Sequence, residues 1–233
     1  MPVDDSYTKA LLHLDGTDAS TTFTDESGKT WTANGNAQID TAQSKFGGAS
    51  GLFDGTGDRI YTASHADFDF GSGNFTIDMW CRWNALPTAG NLQIFCNKRN
   101  STANYSPFII GIDNTTLYFL SSTSGTDWEV LITGSHGLSI NTWYHFAYVR
   151  NGNVFTGYKN GTSFGTQTVS GALMTNSTDI SIGAHANNAD SMNGWIDEVR
   201  FSKGIARWTA NFTPPTSAYA PPSSGGIGFF PFF

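Results

Sequence analysis

Two adjacent acidic residues near the end of the sequence are the first candidates for chemistry. Asp197 and Glu198 lie in the run GWIDEVRF, which is typical of a β-strand. Two acids can form the catalytic pair of a glycoside hydrolase, or one acid can ligate a metal ion. Consecutive side chains of a regular strand point to opposite faces, so this pair cannot flank one glycosidic bond. We therefore expect no catalysis here, with Glu198 in solvent beside nearby cations and Asp197 facing inward with Val199 and Phe201.

Aromatic and amide residues in polar loops are a second set of candidates, suited to binding sugars. An exposed ring can stack on the apolar face of a sugar, while amides and carboxylates bond its hydroxyl groups. Most tryptophans, including Trp143 in TWYHFAYV, are expected in the core. The candidate glycan contacts are Tyr105, Trp128, Asn187, Asn188 and Asp190. Each of them could also be an ordinary loop residue, and that alternative stays open.

The composition restricts the fold and the partners. The chain has 233 residues, of which 39% are apolar, 14% aromatic and only 13% charged, with a net charge of −7. This is enough apolar material for one sizeable β domain. The negative charge and the lack of clustered Lys and Arg argue against nucleic acid as a partner. No apolar run approaches the roughly 20 residues of a membrane span, and no classical signal peptide is visible at the N-terminus.

Short alternating segments separated by turn residues fill most of the sequence. Residues 75–83, FTIDMWCRW, alternate with Phe75, Ile77, Met79, Cys81 and Trp83 on one face. Asn-Gly pairs at 151–152 and 160–161 stand in hairpin positions. A dozen or more short antiparallel strands in one chain predict a two-sheet sandwich or a barrel.

The two cysteines lie on consecutive predicted strands. A hairpin folded around LPTAG would place Cys81 and Cys96 opposite each other. A disulfide between directly paired strands would be strained, so we favour two buried free thiols.

Five motifs occur in an order that resembles a known family: LLHLDGTDASTTFTDESG, SKFGGASGLFDGTGDRI, NFTIDMWCRW, NTWYHFAYVRNGN and GWIDEVRFSKGIAR. Through them, residues 8–216 resemble a laminin G-like domain of the concanavalin A-like lectin/glucanase superfamily. The variety common in bacteriophage virion proteins and bacterial surface proteins is the most similar. The resemblance implies an all-β jelly roll of two antiparallel sheets. It also implies that many relatives bind glycans, some of them with calcium.

Glycosidases of this superfamily carry their carboxylates at alternate positions of one strand, in the pattern E-x-D-x-E. The glutamates of this chain are Glu26, Glu129 and Glu198, and none of them precedes an Asp two residues later. The required spacing is therefore missing. We expect the protein not to be an enzyme, and a glycoside hydrolase is the least favoured alternative.

The resemblance suggests where a metal could bind. First and last strands of this superfamily are typically antiparallel neighbours, which would bring Asp15 close to Asp197, and Asp25 could join them. Close carboxylates repel each other, and a structural Ca²⁺ would resolve the repulsion. The alternative is that backbone N–H groups or an arginine satisfy Asp197.

The C-terminal residues differ in composition from the domain. Residues 217–233 read SAYAPPSSGGIGFFPFF and are rich in Pro, Ser and Gly before the final Phe residues, whereas residues 1–7 form a short N-terminal segment. The apolar positions of this predicted arm are Ile227, Phe229, Phe230, Phe232 and Phe233. The arm could pack on its own sandwich, or it could dock into a neighbouring subunit, which we favour.

The leading prediction of function is a non-catalytic virion or surface protein with carbohydrate-binding capacity. A phage decoration or fibre component would fit this description, located on the virion or cell surface as part of an oligomer or larger assembly. Its partners would be other virion or surface proteins, held by the arm, together with glycans. The second alternative is a purely structural assembly module that binds no sugar.

Overall fold

The computed structural model describes residues 5–99 and 105–221. The described chain is all-β apart from a 3-10 turn at Ala66–Phe68. In chain order the strands are β1 (Thr8–Leu12), β2 (Thr32–Asn34), β3 (Gln38–Asp40), β4 (Ser50–Asp54), β5 (Arg59–Thr62), β6 (Phe75–Trp83), β7 (Gln93–Asn97), β8 (Ile109–Ile112), β9 (Thr116–Ser121), β10 (Val130–Ser135), β11 (Trp143–Asn151), β12 (Val154–Lys159), β13 (Thr162–Thr168), β14 (Ile180–Ile182) and β15 (Asn193–Lys203). The predicted arm residues, Ile227 to Phe233, lie outside the described residues.

The strands form two antiparallel sheets, as predicted. The first sheet has the order β13-β12-β11-β6-β15-β4-β3, with β1 also paired to β15. The second sheet has the order β10-β9-β8-β7-β14-β5-β2. Strand β1 runs antiparallel to β15 with Leu12 opposite Val199, so the predicted contact between first and last strands is confirmed. Among the described residues, no helix has the length and apolar character to span a bilayer.

The core lies between the two sheets and is built from alternating strand residues. All five predicted core residues of β6 are fully buried in it: Phe75, Ile77, Met79, Cys81 and Trp83. The intervening side chains of β6 therefore face away from the second sheet. Strand β6 lies between β11 and β15, so these outward side chains form the centre of the outer face of the first sheet.

The cysteines lie on strands of different sheets, and the predicted hairpin between them is wrong. Cys81 belongs to β6 in the first sheet, whereas Cys96 belongs to β7 in the second. The chain crosses between sheets because β6 and β7 each bury an apolar face against the other sheet. Both thiols are free and buried, as favoured from the sequence. Burial raises the pKa of both thiols, which keeps them protonated and unreactive.

Strand β15 contains a β-bulge between Asp197 and Arg200, where it pairs with β6. Glu198 has a φ of 52°, a left-handed conformation that residues other than glycine rarely adopt in a strand. Glu198 and Val199 together lie opposite the single residue Met79. The regular alternation of side chains is therefore interrupted at the acid pair.

The bulge overturns the predicted orientation of Asp197. The core-facing residues of β15 are Ile196, Val199 and Phe201, with one residue too many between the first two for regular alternation. Asp197 is paired with Trp80 and therefore lies on the outer face of the first sheet. It is nevertheless fully buried, because loops cover this face.

Residues 204–221 run back over the outer face of the first sheet. Trp208 and Phe212 stack at 4.0 Å and pack against a small apolar cluster on β11 and β12. Tyr219 is only 6% exposed, and the Arg200 guanidinium lies 3.9 Å from its ring centroid. The packed domain therefore extends beyond the boundary predicted at residue 216.

Candidate functional site

A polar cavity of about 350 Å³ opens at the rim of the second sheet. Three connections line it: the β4–β5 turn at Gly55, residues 86–93 before and at the start of β7, and the β14–β15 loop at Asp190 and Ser191. The Asp190 carbonyl accepts the N–H of Ile94 at 2.8 Å, which fixes the loop to β7. Asp190 has a φ of 57°, which Asp tolerates better than most residues.

Two acceptor atoms on residues of the cavity lining lack a hydrogen-bond partner among the described residues. They are Gln93 Oε1 and Asp190 Oδ2, and both are buried. Gln93 is held in place because its Nε2 donates to the Ala85 carbonyl at 3.1 Å. His185 Nε2 lies 3.4 Å from Asp190 Oδ2, but the geometry does not make a hydrogen bond. A buried acceptor without a hydrogen bond costs about 1–3 kcal/mol, so a donor from a ligand at either atom would offset that cost.

An arginine connects this cavity to the predicted aromatic platforms. Tyr105 and Trp128 contact edge to face with centroids 5.0 Å apart, and both are half-buried. The Arg99 guanidinium lies 5.4 Å from the Trp128 ring centroid. Burial lowers the pKa of Arg99, and the charge of Asp190 opposes this shift. Three predicted residues, Tyr105, Trp128 and Asp190, thus surround Arg99. Arg99 was not among the residues predicted from the sequence, where its place between a strand and a polar loop was the only indication of a binding role.

The two predicted asparagines support the loop. Asn188 Oδ1 accepts the Nε–H of Arg59 at 2.8 Å. Asn187 Oδ1 accepts the backbone N–H of Ala189 at 3.2 Å. These contacts hold the β14–β15 loop in the conformation that presents Asp190.

A smaller apolar cavity of about 260 Å³ adjoins the polar one on the outer face of the second sheet. Its lining residues are Leu92, Ile94, Arg99, Ile109, Tyr118 and Leu120. Leu92 lines both cavities, and Arg99 joins the apolar cavity to the aromatic pair. The site can therefore offer hydrogen-bond acceptors, an apolar floor and aromatic rings to one extended ligand.

The predicted metal ligands lie at the other sheet. Asp197 Oδ2 accepts the backbone N–H groups of Lys45 at 2.7 Å and Phe46 at 3.1 Å. Asp197 Oδ1 is buried and has no partner among the described residues. Burial raises the pKa of Asp197 to about 8, and the charges of Glu198 and Asp15 add to the rise. If this carboxyl group ionised, its Oδ1 would lack the partner that a buried charge requires.

Asp15 holds the same loop as Asp197. Its Oδ1 accepts the N–H of Ala49 at 3.2 Å. A Cβ at Gly47 would lie 1.8 Å from Asp15 Oδ2, so only glycine leaves room for this carboxylate. Burial raises the pKa of Asp15, and the charge of Glu198 adds to this effect. The structure thus brings Asp15 and Asp197 together around residues 45–49.

Asp25 does not join the other two predicted ligands. Its Oδ1 accepts the N–H groups of Leu11 and Ser27, and its Oδ2 accepts Nε1–H of Trp31. These three bonds satisfy the carboxylate and attach its loop to β1. Within residues 5–99 and 105–221, no three His, Cys, Asp or Glu side chains are grouped to hold a metal ion.

Glu198 is fully buried, and the prediction that it lies in solvent is wrong. Its Oε1 lies 2.7 Å from His13 Nδ1, and its Oε2 accepts the N–H of Tyr219 at 2.8 Å. The bulge turns Glu198 toward these partners, and residues 204–221 cover it. Its carboxylate raises the pKa of His13, against the opposing effect of burial.

Comparisons agree with the jelly-roll architecture. A family model described as the concanavalin A-like lectin/glucanases superfamily matches residues 54–207, and the chain therefore belongs to this family. A search of curated proteins finds no match.

Among solved structures, the binding domain of Paraclostridial Mosquitocidal Protein 1 is similar, with a TM-score of 0.63 and 16% identity over 86% of this chain and 50% of that one. The receptor binding domain of botulinum neurotoxin D has a TM-score of 0.63 and 15% identity, over 86% of this chain and 50% of that one. The binding domain of botulinum neurotoxin DC in complex with SialylT has a TM-score of 0.63 and 20% identity, over 86% of this chain and 49% of that one. The chain spans about half the length of these structures, and likeness at such identities shows the fold.

Proposed function

We propose that the protein is a non-catalytic carbohydrate-binding module whose site is the polar cavity beside Asp190. The observation that carries the proposal is a pair of buried acceptors without hydrogen-bond partners, Gln93 Oε1 and Asp190 Oδ2, on two residues of one cavity lining. Sugar hydroxyl groups are donors of suitable size, and two fixed acceptors would orient a pyranose ring. Arg99 and the Tyr105–Trp128 pair would contact further sugar units along the surface.

The similar structures support a binding role by their own descriptions. All three are binding or receptor binding domains, and one was solved in complex with SialylT. The acids of β15 also support a non-catalytic role, because Asp197 and Glu198 are both buried beneath loops. A glycosidase needs two carboxyl groups that reach one glycosidic bond.

A virion or surface adhesion protein remains the biological role that we favour, with the arm from Ile227 to Phe233 as its assembly element. A purely structural module is the alternative. If the arm docks into a neighbouring subunit, deleting residues 225–233 should abolish incorporation of the protein into its virion or surface assembly. Normal incorporation of the truncated chain would contradict this assignment.

A glycan array followed by titration of the best ligand tests sugar binding. Asp190→Asn keeps the size of the side chain and tolerates the left-handed backbone, but it replaces one acceptor oxygen by a donor. We expect binding about tenfold weaker, equivalent to about 1.4 kcal/mol, with little change in melting temperature. Asp18→Asn, an exposed residue of another loop, is the matched control. Absence of any glycan ligand, or equal binding by both variants, would contradict the proposal.

We also propose that Asp15 and Asp197 hold a structural Ca²⁺. Carboxylate oxygens are the ligands this cation prefers, and the buried Asp197 Oδ1 still needs a partner. The ion would supply charge compensation for two close carboxylates. Lys45, Phe46 and Ala49 would keep their present role, since their N–H groups orient the two side chains.

A further inference from the structure

We infer that the outer face of the first sheet carries a second saccharide site, selective for a pyranose with a carboxylate group. The site is a cavity of about 460 Å³, and it lies on the sheet opposite the polar cavity proposed above. The side chains that the argument uses are Lys45, Phe46, Trp80, Trp143 and Asn160. Residues 213–216 form the opposite wall.

Strand pairing places two tryptophans of this cavity on one face. Trp80 in β6 lies opposite His145 in β11, and Trp143 lies opposite Arg82. Directly opposite residues share a face, and β6 directs its odd-numbered residues from 75 to 83 into the core. Trp143 therefore lies on the outer face and is half-buried, and the prediction that it belongs to the core is wrong.

The aromatic walls suit the apolar face of a sugar ring. Phe46 packs edge to face on Trp80 with centroids 6.0 Å apart, and Phe46 is half-buried. Trp143 presents a second partly open ring on the neighbouring strand. Rings of this kind combine a large rigid contact area with polar N–H groups at their edges.

Polar groups of the lining indicate a saccharide rather than an apolar partner. Trp80 is 6% exposed, and its Nε1–H has no acceptor among the described residues. The Asn160 amide is exposed at the cavity, where its oxygen accepts the N–H of His145 at 2.8 Å. An apolar occupant would offer no acceptor to the Trp80 Nε1–H or to the Asn160 amide NH₂, whereas sugar hydroxyl and ring oxygens can accept from both.

Lys45 indicates that the sugar is acidic. Its Nζ lies 4.0 Å from the Trp80 ring centroid, which holds the ammonium at the cavity wall. Lys45 is the charged member of the described lining. A cation–π contact leaves the ammonium N–H groups able to donate to a carboxylate. A uronic acid unit combines this carboxylate with a pyranose ring that can stack on Trp143.

Titration of the full chain with trigalacturonate and with neutral galactotriose tests the inference. We expect the acidic trisaccharide to bind more tightly. Trp143→Ala should weaken it about tenfold, and Trp143→Phe should restore part of the loss. Lys45→Met should abolish the preference for the acidic sugar and the salt dependence of its binding. Melting temperatures of all variants should stay close to that of the natural chain, because both side chains are partly open.

Asp190→Asn separates the two sites. It should leave trigalacturonate binding unchanged while it weakens the ligand of the polar cavity. If the polar cavity bound no glycan, the proposal of this second site would be unaffected. The inference is overturned if trigalacturonate does not bind, if the neutral sugar binds equally well, or if Trp143→Ala has no effect in a folded protein.

Discussion

Asp197 is a fully buried acidic residue on the outer face of the first sheet, and its pKa is strongly raised. Because burial raises its pKa to about 8, the folded chain keeps a proton that the unfolded chain loses near a pKa of about 3.9. Up to neutral pH the fold therefore favours the neutral carboxyl of Asp197 over the charged form. Stability from this residue is complete below the unfolded pKa and decreases as the pH rises through about 8.

The first prediction concerns calcium and pH at Asp197. In EDTA, the melting temperature should fall as the pH rises from 5 to 8.5. Millimolar Ca²⁺ should reverse the fall at pH 8.5, because the cation stabilises the ionised carboxylates. Calorimetry of the natural chain and of Asp197→Asn measures both effects, and the variant should lose both. Equal melting temperatures with EDTA and with Ca²⁺ at pH 8.5 would refute the cation.

Glu198 and His13 allow a second prediction at the residue scale. Glu198→Gln keeps the shape of the side chain but removes the charge that raises the pKa of His13. The pKa of His13 should therefore fall in the variant, which NMR titration of the ring protons can measure. Glu129→Gln, just before β10 of the second sheet, should leave the titration of His13 unchanged. An unchanged pKa of His13 in Glu198→Gln would show that this contact has no electrostatic effect in solution.

At the scale of elements, regular strands were predictable and the bulge was not. The alternation of residues 75–83 identified the core face of β6 correctly, because each residue type matches its side of the sheet. In β15 the same rule failed, since an extra residue at Glu198 shifts the phase between Ile196 and Val199. No residue type in WIDEV marks a bulge; a glycine at the left-handed position would have been the usual signal.

In the loops, too, the sequence predicted the candidate binding residues but not all of their contacts. Polar loop residues were recognisable as binding candidates, and Tyr105, Trp128 and Asp190 do surround one arginine. The role of Gln93 depends on a contact with the distant β14–β15 loop, which sequence spacing cannot reveal. The cavity at Trp143 likewise requires the return of residues 204–221 over the first sheet.

The whole molecule depends on that returning segment, because the outer face of the first sheet carries buried charges. Asp78 and Arg200 form a bidentate pair there, with distances of 3.1 and 2.9 Å. Burial alone would raise the pKa of Asp78, but Arg200 and His145 hold it well below its usual range. Tyr219 covers this pair with its ring, and its hydroxyl lies 3.1 Å from His145 Nε2. Removing the cover would admit water and leave Glu198 without one of its two partners.

The third prediction compares chains that end at different residues. A chain ending at 216, the boundary expected from composition, loses Tyr219, whereas a chain ending at 221 retains it. Loss of a buried aromatic ring typically costs about 3–5 kcal/mol, so urea unfolding should give the shorter chain a markedly lower free energy of unfolding. The chain ending at 221 should match the full chain. Tyr219→Phe in the longer chain should lose only the bond to His145, about 1 kcal/mol. Equal stability of the 216 and 221 chains would mean that the domain folds without its C-terminal cover, and that the buried charges of the first sheet tolerate water.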